Sequence, residues 1–314
     1  YKEHLTIGSY PLSANSAQSL VDTNLDDYDT TNDADVFYDI LAAGTCETLG
    51  SFTGLCVDGS NTSSQERLLI LSGNTYTAGG TVQTDNLTVA GTFVPGANTV
   101  RIQGSGTPVS ITGTLTEASS TFDYTNASIT TIQNDTYNNL TISGTISSGA
   151  QSATVAGVFT VSGTFTPASG TITLSGTASV SNSGTLTFQD LTAAAAAAVT
   201  TSSSFSIDGT FTNGASSATF TASTPSLITL LSATLANSGS TITFYDLTVG
   251  TGTTTANVSY TVARNFSVTG SLTAKAGTVT INGGGSISNS GTLVFKGLTT
   301  SCSSTAITAN TSFA

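Results

Sequence analysis

The chain has 314 residues, 18 of them acidic and 6 basic, for a net charge of −12, and only 8% of its residues are charged against about a quarter in an average protein. Six Lys and Arg cannot form the basic stripe that neutralises phosphates, so nucleic-acid binding and adhesion to an anionic membrane surface are excluded. No stretch reaches the roughly 18 consecutive apolar residues of a spanning helix, yet a hydrophobic fraction of 38% and a mean hydropathy of +0.17 mark a chain that folds.

Charge divides the chain into residues 1–72, with 11 acidic and 2 basic side chains, and residues 73–314, with 7 and 4. The acidic segment holds the only His, His4, which reads as a solvated residue. The absence of Met and the start at Tyr1 point to a leader already removed, as in an exported protein. Asp22, Asp26, Asp27, Asp29, Asp33, Asp35 and Asp39 follow one another closely, and carboxylates so crowded repel unless something neutralises them. The EF-hand pattern fails, because Asp27-Tyr28-Asp29-Thr30-Thr31 breaks at the third ligand and lacks the Gly. Two readings stay open: a solvated acidic loop, and a looser calcium site through Asp26, Asp27, Asp29, Asp33 and Asp35. Calcium is the one cofactor the sequence offers. Cys46 and Cys56 enclose nine residues with two Gly among them, which in an exported chain reads as a local disulfide. Cys302 is left over.

From residue 73 onward the sequence repeats itself. An apolar-x-apolar-x-Gly-x-apolar unit recurs at Leu87–Phe93, Phe159–Phe165, Phe205–Phe211 and Phe266–Leu272. Its apolar offsets are all even, so one strand face is apolar throughout. A second unit runs from Ser183-Gly184 to Phe188 and Leu191, from Ser238-Gly239 to Phe244 and Leu247, and from Ser290-Gly291 to Phe295 and Leu298. Leu140, Leu191, Leu247 and Leu298 stand 51, 56 and 51 residues apart, which defines a repeat architecture. The strands are short and are broken by Gly, Ser-Gly, Asn-Ser-Gly or Ala-Gly. Helix propensity peaks at Ala193–Ala198, but the run occupies a loop position in the repeat frame, so it reads as strand or loop.

Strands of this kind fit an all-β fold, a repetitive parallel β-solenoid preceded by the acidic segment. Tandem β-sandwiches are the alternative. A sandwich needs about 100 residues to close, which favours the solenoid, with coils of about 25 residues, two to a repeat. Phe159, Phe165, Phe188, Phe205, Phe211, Phe244, Phe266 and Phe295 are expected inside.

Segments such as Tyr137-Asn138-Asn139-Leu140-Thr141-Ile142-Ser143-Gly144 and Phe159-Thr160-Val161-Ser162-Gly163-Thr164-Phe165-Thr166 resemble the β-strand-repeat surface proteins of bacteria and archaea. These are similar in turn to β-helices of the filamentous-haemagglutinin and autotransporter type. The resemblance covers about residues 73–314 and implies an exported, cell-surface, structural or adhesive protein. It assigns no functional residue.

Catalysis has little to stand on. No G-x-S-x-G, H-E-x-x-H or Walker pattern occurs, the repeat-region carboxylates are sparse, and Asp190 and Asp246 share a repeat position that suits a corner residue. Asn-x-Ser/Thr patterns occur at Asn61, Asn86, Asn126, Asn134, Asn139, Asn257, Asn265 and Asn310, about as many as chance supplies in so Ser/Thr-rich a chain. The expected function is therefore structural and not enzymatic: an extracellular, homopolymeric filament, fibre or sheath, in which the N-terminal segment contacts the open C-terminal end of a neighbour. The apolar pieces at 36–43 and 68–71 lack a repeat partner and are its expected donor strands. The alternative is an adhesin or stalk that binds surface glycans.

Overall fold

In a computed structural model, residues 4–7, 37–40, 67–70, 72–73, 75–129, 131–215, 217–237, 241–282, 286–301 and 308–309 are described. The chain forms two compact units, Tyr1–Ile146 and Ser147–Ala314. Both are all-β parallel solenoids, with about 11 turns in all and no helix among the described residues. The pairing is parallel throughout each unit, as in Phe122 beside Leu140 and Phe220 beside Ile242. Antiparallel sandwiches are thereby set aside.

In the first unit Arg67–Ile70 pairs with Asn86–Val89, which pairs with Val109–Ile111. The expectation that the apolar pieces of the acidic segment lack a partner is corrected here. Phe37–Ile40 lies between His4–Ile7 and Arg67–Ile70, both in parallel register. A strand edge offers a row of unpaired N–H and C=O groups, and a tethered strand meets it at high effective concentration. These strands are therefore engaged within their own chain.

The second unit is three-sided. One face contains, among others, Thr171–Leu174, Asp190–Ala193 and Thr210–Asn213. A second contains Ala198–Thr201, Thr219–Ala222, Thr241–Phe244, Tyr260–Val262, Val279–Asn282 and Leu298–Ser301. The third contains Thr185–Phe188, Phe205–Ile207, Leu227–Leu230, Asp246–Val249 and Phe266–Val268. Each strand pairs with the third one after it. A turn is therefore three short strands, and the coil is shorter than the 25 residues expected: Thr243 stands beside Thr261, and Phe211, in the longest turn, beside Leu235.

The sequence repeat is out of phase with this turn. Leu191, Leu247 and Leu298 are each eight strands apart, two and two-thirds turns, so the three anchors stand on three different faces. Leu191 and Leu247 are buried, whereas Leu298, on the last described strand of its face, is 37% exposed. Phe295, just past the last described strand of the first face, is half-buried. The other seven Phe expected inside are buried.

Strand after strand shows Thr or Ser outward and an apolar residue inward, as in Thr171-Ile172-Thr173-Leu174 and Thr241-Ile242-Thr243-Phe244. The rings pack edge-on or tilted against one another, with Phe188 at 5.5 Å from Phe159, 6.2 Å from Phe165 and 5.2 Å from Phe205 between centroids. Corners follow local chemistry. In Asn182-Ser183-Gly184 and Asn289-Ser290-Gly291 the Gly N–H donates to the Asn Oδ1, at 3.1 and 3.0 Å, an Asx turn. The alanine run holds no helix. Ala193 ends one strand, the Ala197 N–H donates to the Ala194 carbonyl at 3.0 Å, Ala196 takes φ +59°, and Ala198 begins the next strand. Parallel partners above and below fix both ends of the run, which leaves it only a tight turn.

Candidate functional site

The outward side chains of the second unit form columns of hydroxyls. On its second face Ser179, Thr200, Thr221, Thr243, Thr261, Thr280 and Thr299 stand in register on successive rungs. On the third face Thr187, Ser206, Thr229, Thr248, Ser267 and Ser288 do the same, and Ser288 Oγ lies 3.1 Å from Ser267 Oγ. Rungs repeat at roughly 4.8 Å, and the β-branched Thr holds few rotamers, so the array is ordered before anything meets it. Residues 147–314 contain only Asp190, Asp208, Asp246, Arg264, Lys275 and Lys296 as charged residues. The surface is neutral and rich in donors and acceptors.

The charged groups that are present serve the corners. Asp190 Oδ1 accepts from the Thr210 N–H at 2.5 Å. Asp246 Oδ1 accepts from the Asn265 N–H and from Arg264 Nε, both at 2.9 Å, and Arg264 Nη2 closes a bidentate pair on Oδ2. Each carboxylate begins a strand and ties it to the next turn, the corner role its repeat position indicated, although the two stand on different faces. The Arg264 guanidinium also lies over the Tyr245 ring, 4.7 Å from its centroid.

Burial alone would push the Asp246 carboxyl up, but the bonds from Arg264 and Asn265 outweigh it and hold the group below its ordinary value. A depressed carboxylate adds stability above its unfolded pKa and loses it as pH falls through the folded one. The melting temperature of the native chain should therefore exceed that of Asp246→Asn at neutral pH, and the gap should close at pH values below about 4. A gap that stays constant down to acid pH would show that the charge contributes nothing.

In the first unit Tyr124 and Tyr137 are buried with hydroxyls 3.3 Å apart. The Gln133 N–H donates to Tyr124 Oη at 3.3 Å, and Tyr137 Oη donates to the Gln133 carbonyl at 2.8 Å. Burial pushes the Tyr124 phenol up to about 12 and Tyr137 well above its ordinary value. Both stay neutral at physiological pH and act as a brace for residues 131–136. Arg101 and Asp123 form a surface pair at 3.7 Å, and Asp123 Oδ1 accepts from Ser143 Oγ at 2.5 Å.

Asp26, Asp27, Asp29, Asp33, Asp35, Cys46, Cys56 and Cys302 lie outside the described residues. So do Asn61 and Asn310. Among the described residues no three of His, Cys, Asp or Glu gather as metal ligands, and no helix is long and apolar enough to cross a membrane. The hydroxyl columns escaped the sequence reading because the turn length was misjudged, although the T-x-T strands that build them are plain in the sequence. A scan against protein-family models and searches of curated proteins and of solved structures each return no match.

Proposed function

We propose that this protein is an extracellular structural protein whose copies join end to end through parallel β contacts into a surface filament, fibre or sheath. The observation that carries the reading is the open rung at Leu298. Val279, its partner one turn before, is fully buried, whereas Leu298 is 37% exposed, and its strand has one ladder neighbour among the described strands. The strand His4–Ile7 likewise has a single neighbour among the described strands, Phe37–Ile40. Two such edges are unlike surfaces, and a contact between unlike surfaces propagates as an open assembly unless a rotation closes it. The N-terminal segment of one copy thus contacts the C-terminal end of the next, with a total buried area of about 2,000 Å² or more for an obligate contact.

Leu298→Asp places a charge where the next copy would cover the rung. The variant should melt like the parent and sediment as a monomer, while the parent sediments as a polymer and shows a regular axial repeat by electron microscopy. A parent that stays monomeric at high concentration would refute the filament reading. A second reading, an adhesin or glycan-binding stalk at the cell surface, is favoured by the neutral hydroxyl columns, whose donors and acceptors match those of a sugar. Glycan-array binding by a monomeric parent would select it.

A further inference from the structure

We propose that Asn134 and Asn257 are N-glycan attachment sites. The inference rests on the extracellular location proposed above. The sequence alone cannot rank its Asn-x-Ser/Thr patterns, because chance accounts for their number; the structure ranks the six whose asparagines are described.

An acceptor needs a free side-chain amide exposed to an incoming transferase. Four of the six lack this. Asn126 is held at both ends of its amide, with Nδ2 donating to the Gln103 carbonyl at 2.6 Å and Oδ1 accepting from the Ser128 N–H at 2.7 Å. Asn265 Oδ1 accepts from the Ser286 N–H and lies 3.1 Å from Ser286 Oγ. Asn139 and Asn86 are half-buried within strands, paired with Thr121 and Arg67 on neighbouring rungs, and Asn139 Nδ2 also donates to Thr121 Oγ1.

Asn134 and Asn257 are exposed and lie outside the strands. Asn134 lies within residues 131–136, next to Gln133, whose backbone N–H and carbonyl bond to the Tyr124 and Tyr137 hydroxyls. In its pattern Asn134-Asp135-Thr136 the hydroxyl-bearing Thr136 is exposed as well. Asn257 stands at the corner after Thr253–Ala256. Its backbone N–H donates to the Leu235 carbonyl at 3.1 Å, but its side chain faces solvent. Ser259 Oγ accepts from the Thr278 N–H at 3.0 Å and keeps its own proton to donate.

The co-reactant is a lipid-pyrophosphate-linked oligosaccharide. The asparagine Nδ2 forms a bond to C1 of the terminal sugar, the bond from C1 to the pyrophosphate oxygen breaks, the lipid pyrophosphate leaves with the electron pair, and the amide gives up one proton. At Asn257 a bulky, hydrated glycan would sit on a unit that carries only six charged residues.

The test incubates the folded full-length protein with such a donor and a purified oligosaccharyltransferase that accepts any Asn-x-Ser/Thr, followed by peptide mass spectrometry of each site. Most folded chains should carry glycan at Asn134 and Asn257 and essentially none at Asn86, Asn126, Asn139 or Asn265. The urea-unfolded chain should accept glycan at all six. Thr136→Ala should abolish transfer to Asn134 alone. Transfer to the ladder-bound asparagines of the folded chain as readily as to Asn134 would overturn the assignment, and so would no transfer to Asn134 and Asn257. Because the donor and enzyme are supplied, the result does not depend on where the protein resides. Fractionation of native cells, with the protein found inside, would defeat the location while leaving the acceptor ranking standing.

Discussion

Phe188→Ala is expected to destabilise the second unit by about 3–5 kcal/mol, the range for emptying a fully buried aromatic site. The position lies at the upper end of that range because Phe188 is buried and its ring meets those of Phe159, Phe165 and Phe205. A solenoid turn touches only its neighbours, so stability is close to a sum of adjacent-turn terms, and a void at this junction weakens the coupling across it. Urea denaturation followed by circular dichroism should show a lower midpoint and a broadened transition. Phe295→Ala makes the control: that ring is half-buried and lies 6.1 Å from the Phe266 ring between centroids, so its loss should cost about 1 kcal/mol. Equal effects at the two positions would contradict the account of the core.

Gly184→Val is the second large effect expected. A Cβ at Gly184 would lie 2.0 Å from the Gly163 carbonyl oxygen and 2.6 Å from that of Ser162. Those atoms are backbone of the preceding turn, whose Gly163 carbonyl accepts from the Thr185 N–H at 2.9 Å, so the turn cannot yield without breaking its ladder. Overpacking in a core typically costs about 1–3 kcal/mol, and a clash between backbones exceeds the lower figure because no rotamer relieves it. The variant should melt well below the parent, and Gly184→Ala should already show most of the loss, since the first carbon makes the clash. If Gly184→Ala melts like the parent, the close approach of the two turns at this corner is wrong. Gly291, whose Cβ would meet the Gly270 carbonyl oxygen, should behave alike, because both corners carry the same Asn-Ser-Gly turn.

The hydroxyl columns and the open rung bear on different assays. A filament contact depends on Leu298 and the strand edges. A sugar-binding face depends on Thr221, Thr243 and Thr261, whose replacement by Val would keep the β-branched packing and remove the hydroxyls.

Much of this protein was fixed by its sequence. Alternation of period two placed Thr and Ser outward and Val, Leu, Ile and Phe inward, and a strand that alternates has no freedom to do otherwise once one side is buried. The even-offset units, the Asn-Ser-Gly corners and the strand-capping roles of Asp190 and Asp246 are local chemistry, legible over a few residues. What the sequence misjudged was the turn. The 51- and 56-residue repeat spans eight strands, whereas the turn spans three, so the most visible period is not the spatial one. The reason is that all three faces ask for the same pattern, an apolar strand and a small corner, and one motif can therefore recur on any of them. Only the tertiary ladder, in which each strand of the second unit meets the third one on, decides which residues share a face, and with that the hydroxyl columns. It also decides end effects that no local pattern carries. Leu298 and Phe295 have sequence surroundings similar to those of Leu191 and Phe188, but they stand at the last described rungs of their faces, whereas Leu191 and Phe188 have described rungs on both sides. Likewise Phe37–Ile40 and Arg67–Ile70 looked like strands without partners because they stand outside the repeat. They pair within the chain because an open parallel edge accepts any strand of matching alternation that its own tether brings near.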